Sequence, residues 1–205
     1  MIKRYKQSEI DALAEILKND QVISVPTDTV YGVCAIMNSK KAYDNLVKIK
    51  NRPITKAFPI MCLDENQIKS IAIVNEKAEK LIQRFMPGPI TLILEKRPEV
   101  PKYVSNGKTT IAVRMATSEA IEELIRKVES PIFMSSANKS GESTCTCLDE
   151  IEKRCPSLSG IMEGKIMFGK ASTIVDCVSE EIKILREGPI TIEQIKKVLN
   201  WYKYI

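Results

Sequence analysis

Apolar residues along this chain recur in two periods, and the two alternate from one end to the other. Ile10, Leu13, Ile16 and Leu17 fall on one face of a helix that starts near Ser8-Glu9. The short run Gln21–Val25 predicts a strand, and Val33–Met37 predicts another. Ser39 is placed to cap a helix carrying Ala42, Tyr43, Leu46, Val47 and Ile49. A polar loop over residues 50–57 leads into a predicted strand at Phe58–Leu63. Asn75 caps a further helix with Ala78, Leu81, Ile82 and Phe85, and Pro87-Gly88-Pro89 stops it. Strands follow at Thr91–Leu94 and Thr109–Arg114, then a helix at Glu119–Val128 and a strand at Ile132–Ser135. A strand pair at Thr173–Val178 and Ile182–Arg186 and a last helix over Thr191–Trp201 complete the pattern. Helices and strands that alternate in this way indicate the α/β class. No linker, repeat or low-complexity stretch interrupts them, so the expectation is one domain over residues 1–205.

The chain has 205 residues, enough for one substantial core. No apolar run is long enough to span a membrane, and MIKRYKQSEI lacks the apolar centre of a signal peptide. The expected location is the cytoplasm, with no membrane contact. A net charge of +5 suits an anionic ligand or weak nucleic-acid contact. Six cysteines include no CxxC pair; Cys145-x-Cys147 is the one close spacing, and no metal site is expected. Cys34, Cys62 and Cys177 lie in apolar runs and read as core residues. There is no histidine. Any catalysis then falls to lysine, arginine, carboxylates, hydroxyls or a bound ion.

Five polar constellations lie at predicted strand ends or just beyond them, where open α/β sheets build their sites. The first is PTDTVYG, residues 26–32, either a plain turn or a rigid wall of hydroxyls. The second is the stretch from Lys50 to Lys56, with three cations in seven residues: a solvated basic loop or a phosphate clamp. In the third, Thr110 and Arg114 point to the same side of an apolar strand. An arginine there needs a partner, which is either a core carboxylate or a ligand carboxylate. The fourth is SSANKSGEST, residues 135–144, a polar surface loop or a cradle of donors for an anion. The fifth combines Ser172-Thr173-Ile174-Val175-Asp176 with Arg186-Glu187-Gly188. Neither a P-loop nor GxGxxG is present. Hydroxyls at five places and cations at three suit a polyanion bound beside a small polar molecule.

In this order the motifs resemble the YrdC-like threonylcarbamoyl-AMP synthases over nearly the whole chain. The resemblance rests on PTDTVYG, on the KxR motif as Lys50-Asn51-Arg52-Pro53, and on Pro87-Gly88-Pro89-Ile90-Thr91. It rests equally on Ile111-Ala112-Val113-Arg114, the SxN motif as Ser136-Ala137-Asn138, Ser172-Thr173-Ile174-Val175-Asp176 and Leu185-Arg186-Glu187-Gly188. It implies a single-domain, twisted mixed β-sheet with flanking helices around a basic concave cleft. The implied reaction joins L-threonine, bicarbonate or CO2, and ATP into threonylcarbamoyl-AMP with release of pyrophosphate. Mg2+ is expected on the ATP phosphates, with no metal held by the protein alone. Separate proteins would then transfer the group to the tRNA adenosine next to the anticodon.

Carried onto this sequence, the resemblance gives Lys50, Arg52, Ser136 and Asn138 catalytic roles. It places Arg52, Lys56, Thr110, Ser136, Thr144 and Arg186 at ATP, and Thr27, Tyr31, Met61, Arg114 and Ser172 at threonine. Two departures stand out. Many members have glycine where this chain has Asn51, and some have a histidine near the position of Met61. Two rivals are a YrdC-like paralogue that binds double-stranded or structured RNA without synthase activity, and the carbamoyl-adenylate module of hydrogenase maturation proteins. The intact KxR and SxN pair with Arg114 and Arg186 speaks against the first. The length of the chain speaks against the second, which sits in much longer proteins. Weak contact with tRNA or double-stranded RNA stays open.

Overall fold

The computed structural model describes residues 2–53, 55–145, 147–166 and 169–200. Ile54 of the basic loop and the predicted helix end at Trp201 lie outside the described residues. The strands are β1 (Arg4–Tyr5), β2 (Ile23–Pro26), β3 (Tyr31–Ile36), β4 (Ile60–Cys62), β5 (Ala72–Ile73), β6 (Ile90–Lys96), β7 (Thr110–Met115), β8 (Ile132–Ser136), β9 (Gly160–Met162), β10 (Thr173–Asp176) and β11 (Lys183–Arg186). The helices are α1 (Ile10–Lys18), α2 (Lys40–Lys50), α3 (Glu65–Ile71), α4 (Glu76–Phe85), α5 (Glu119–Val128), α6 (Leu148–Arg154) and α7 (Ile192–Asn200).

The strands form one mixed sheet in the order β1-β9-β2-β3-β8-β4-β7-β6-β10-β11, with β5 paired to β6. β3 (YGVCAI) is buried along its whole length. That is why it reads in sequence as a continuous apolar run rather than an alternation. β3 pairs antiparallel with β2 on one side and β8 on the other. β4 and β7 run parallel, as do β6 and β10. α1 turns Ile10, Leu13, Ala14 and Leu17 inward and packs against α5, while Ile16 stays half-buried. The predicted caps form: Ser39 accepts from the Ala42 N–H at 3.2 Å and Asn75 from the Ala78 N–H at 2.9 Å.

The core is one cluster that includes Leu13, Ile23, Val33, Phe58, Ile60, Leu92, Val113 and Phe133. Each such side chain contributes roughly 1.5–3 kcal/mol by leaving water. Tyr43 of α2 meets Phe133 of β8 edge-on at 5.3 Å and Phe58 at 5.8 Å between ring centres. This knot fixes the first turn of α2 against β8 and the segment that enters β4. Cys34, Cys62 and Cys177 are buried, as are Cys145 and Cys155; Cys147 is exposed, and all six thiols are free. No helix among the described residues is long and apolar enough to cross a membrane.

Candidate active site

All seven neighbouring strands from β3 to β11 in the sheet, with the loops that enter them, line a cavity of about 230 Å3. The loop between β2 and β3 supplies Thr27 and Thr29. Arg52 comes from the loop after α2, Met61 from β4, Thr91 from β6, Arg114 from β7, Ser136 from β8, Ser172 from the approach to β10 and Arg186 from β11. The register sets Met61 beside Arg114 and Gly32 beside Ser136. In a parallel sheet such residues would gather at one edge. Here the sheet is mixed, so the cavity crosses its face obliquely, from the β2–β3 turn to the starts of β6 and β10. The constellations do sit near strand ends, yet those ends are not on one edge.

Arg114 is the most constrained cation. Its Nε donates to the Gly88 carbonyl at 3.1 Å, Nη1 donates to Thr29 Oγ1 at 3.1 Å, and Nη2 donates to Asp28 Oδ1. Both members of the Asp28–Arg114 ion pair are buried. Of the two partners open to this arginine in sequence, the core carboxylate is present. Three of the five guanidinium N–H groups are thereby used, leaving one on each Nη. Burial pulls the Arg114 pKa down and Asp28 opposes that pull.

The hydroxyl of Thr27 closes the turn. It donates to the Val30 carbonyl at 2.6 Å, accepts from the Thr29 and Val30 N–H groups at 3.1 Å each, and lies 2.9 Å from Thr29 Oγ1. PTDTVYG is therefore both a turn and a wall. Tyr31 does not line the cavity. Its hydroxyl donates to the Gly164 carbonyl at 2.6 Å and accepts from the Gly164 N–H at 3.1 Å, clamping the segment after β9 behind the loop. Gly32 leaves room for Met134, because a Cβ there would lie 2.3 Å from the Met134 sulfur.

Lys50 and Asn138 tie the KxR and SxN motifs together from behind the cavity wall. Lys50 is 1% exposed. Its ammonium donates to the Ser136 and Asn138 carbonyls and to Asn138 Oδ1, so all three of its donors have acceptors. Asn138 in turn donates to the Lys139 and Glu142 carbonyls at 2.8 and 2.9 Å. Neither side chain lines the cavity. Burial, and then the charge of Arg52, pushes the Lys50 pKa down to about 8.

Arg52 lies over the Phe58 ring at 4.5 Å and donates to the Lys56 and Ala57 carbonyls at 2.8 and 2.6 Å. Asn51 before it caps α2 in the left-handed conformation (φ 45°, ψ 48°). Glycine and asparagine are the residues that adopt this conformation at least cost, which accounts for the departure at Asn51. Arg186 donates to the Ser172 carbonyl at 2.9 Å and to Ser172 Oγ at 3.3 Å, and Ser172 Oγ is 2.9 Å from Thr91 Oγ1. Burial and the nearby Arg114 lower the Arg186 pKa.

Lys56, Thr110 and Thr144 lie outside the cavity lining. Ile60 is opposite both Phe133 and Val113, which puts Thr110 level with Ser136 two strands away. Lys56 is exposed and Thr144 half-buried. Asp28 and Thr91 lie inside the sequence motifs without an expected role. The signal for Asp28 was the arginine at a strand end that needed a partner. The described lining holds hydroxyls and three guanidinium groups but no carboxylate, and no cluster of three metal-binding side chains occurs among the described residues. With no carboxylate among the described lining residues, a Mg2+ held by the protein alone does not fit here.

A family model named for Sua5, YciO and YrdC, described as telomere recombination, matches residues 15–188. A Methanocaldococcus jannaschii relative, provisionally named a threonylcarbamoyl-AMP synthase, is 33% identical over 96% of this chain and 97% of its own. A Pyrococcus abyssi threonylcarbamoyl-AMP synthase is 32% identical over 97% of this chain and 59% of its own, so the chain spans about three fifths of that relative. The crystal structure of P. abyssi Sua5 complexed with L-threonine superposes with a TM-score of 0.90 at 30% identity, over 97% of this chain and 61% of that one.

Proposed function

The chain belongs to the Sua5/YciO/YrdC family, and on that premise we infer that it is an L-threonylcarbamoyl-AMP synthase, a nucleotidyltransferase that uses L-threonine, bicarbonate or CO2, and ATP. The observation that carries this reading is a cavity where three arginines face one space with no carboxylate among the described lining residues. Both reactants are anions, and three fixed cations offset their repulsion. The threonine amine adds to CO2 to give a carbamate. A carbamate oxygen then attacks the α-phosphorus of ATP; the new P–O bond forms as the bond to the bridging oxygen breaks, and pyrophosphate leaves.

The free N–H groups of Arg114 take the threonine carboxylate, with Ser172 beside them and Thr27 and Met61 as walls; Tyr31 supports the wall from behind. Arg52, Arg186 and Ser136 meet the phosphates. Lys50 and Asn138 act through Ser136, whose backbone they hold. A cavity of about 230 Å3 is smaller than the ~300–1,000 Å3 of sites that enclose a drug-sized ligand. The nucleoside end of ATP therefore extends beyond it, toward Lys56, Thr110 and Thr144. Much of the rate comes from positioning and charge stabilisation.

The product is a mixed anhydride of a carbamic and a phosphoric acid, so it must pass to an acyl-group acceptor. Separate transfer proteins fill that place, in the cytoplasm, with tRNA as the final acceptor. The chemistry needs no direct contact with tRNA or double-stranded RNA, and the RNA-binding reading is not favoured. All of residues 1–205 work as one domain in this account. The test is the product itself. Incubation with L-threonine, bicarbonate and Mg-ATP should yield an adenylate with the mass of threonylcarbamoyl-AMP. ATP binding with no such adenylate would overturn the reading.

A further inference from the structure

We propose that Asp28 and Thr29 are positioning residues for amino-acid capture: they aim the Arg114 guanidinium so that its two remaining N–H groups form the fork that receives the substrate carboxylate. This rests on the reading above that the cavity takes an amino acid at Arg114.

The polar groups of the β2–β3 turn converge on that arginine. Thr27 spends its hydroxyl on closing the turn, which brings its oxygen to 2.9 Å from Thr29 Oγ1. Thr29 Oγ1 then accepts from Arg114 Nη1. Asp28 accepts from Nη2, and the Gly88 carbonyl from Nε at the far side of the strand pair. The guanidinium is thus held along its whole edge by two separate segments. A free arginine side chain has rotamer entropy to lose on binding, and this frame removes that loss in advance.

Asp28 has a second possible role, to neutralise Arg114. The two roles differ in sign. A carboxylate that only cancels charge weakens the capture of an anionic ligand, so its removal tightens binding. A carboxylate that aims the guanidinium strengthens capture, so its removal weakens binding. The geometry favours aiming. Asp28 lines a separate cavity behind the turn, with Glu163, Gly164 and Lys165, and does not line the arginine-rich one. It backs Arg114 without meeting the ligand.

The experiment is calorimetric titration of the full chain with L-threonine and with L-threoninamide, which lacks the carboxylate charge. The proteins are wild type, Asp28→Asn and Thr29→Val. Asp28→Asn should weaken L-threonine by about tenfold or more, the range for hydrogen bonds to charged groups, and leave L-threoninamide within about twofold. Thr29→Val should lose in the same direction by less. Unchanged or tighter L-threonine binding by either variant overturns the proposal, and so does an equal loss for both ligands, which marks general damage to the turn. If Asp28→Asn does not fold, Thr29→Val decides alone. Failure of the wild type to bind L-threonine refutes the amino-acid reading itself; wild-type binding with indifferent variants refutes only the aiming role.

Discussion

The side chain of Lys50 ends among three acceptors, and none of them is a carboxylate. The ammonium is held by dipoles and buried from solvent, and burial, then the charge of Arg52, lowers its pKa from 10.5 to about 8. In the unfolded chain the group holds its proton up to the ordinary value. Between pH 8 and 10.5 the unfolded state therefore binds more protons, and stability rises with pH over that window. Below pH 8 both states are protonated and the cost is constant. Urea unfolding of wild type and Lys50→Met at pH 7 and pH 10 should show the wild type gaining on the variant, by at most roughly 3 kcal/mol for a shift of this size. A difference that stays flat or falls with pH would contradict the buried, dipole-held ammonium. The cysteines around it, Cys145 and Cys155, are buried thiols whose pKa burial raises, that of Cys145 to about 11.

At the scale of elements, the approach to β10 depends on one close backbone contact. A Cβ at Gly188 would lie 2.3 Å from the Ala171 carbonyl oxygen and 2.5 Å from the Thr173 nitrogen. The Gly188 N–H also donates to Thr173 Oγ1 at 2.9 Å. Gly188→Ala must push backbone against backbone. It should cost about 1–3 kcal/mol in urea unfolding and raise the apparent KM for L-threonine and for ATP, because Ser172 and Arg186 move together. Full stability and unchanged KM values would show that this contact is slack. The long elements were legible because their apolar residues repeat often enough to set a period: α4, α5, β3 and β7 lie within a residue or two of expectation. Five short ones, β1, β5, β9, α3 and α6, were not. β1 and β9 have two and three residues, too few to show alternation. α3 buries only Ile68 and Ile71, and α6 only Ile151. Their apolar pattern is weak because neighbours supply the burial. Within the site, the motifs bring Thr27, Arg52, Met61, Arg114, Ser136, Ser172 and Arg186 to one cavity, while Lys50, Asn138 and Tyr31 lie behind its wall. Sequence cannot tell a lysine that faces a phosphate from one that holds the loop beside it, since both need a cation at the end of α2.

For the whole molecule, the net charge of +5 matters less than where three arginines are placed. The mixed sheet brings β3, β8, β6 and β11 to one oblique cavity, although the residues that line it are spread from Thr27 to Arg186. On the function proposed above, that arrangement lets one face of the sheet oppose two anions to each other without histidine. The most direct test of the account is pyrophosphate release from Mg-ATP and bicarbonate, with L-threonine, with L-serine, and with neither. The account predicts release that requires both bicarbonate and L-threonine, with L-serine slower by about tenfold or more, the discrimination a single methyl group allows. Release at the same rate without an amino acid, or none from a folded protein that binds ATP, would contradict it.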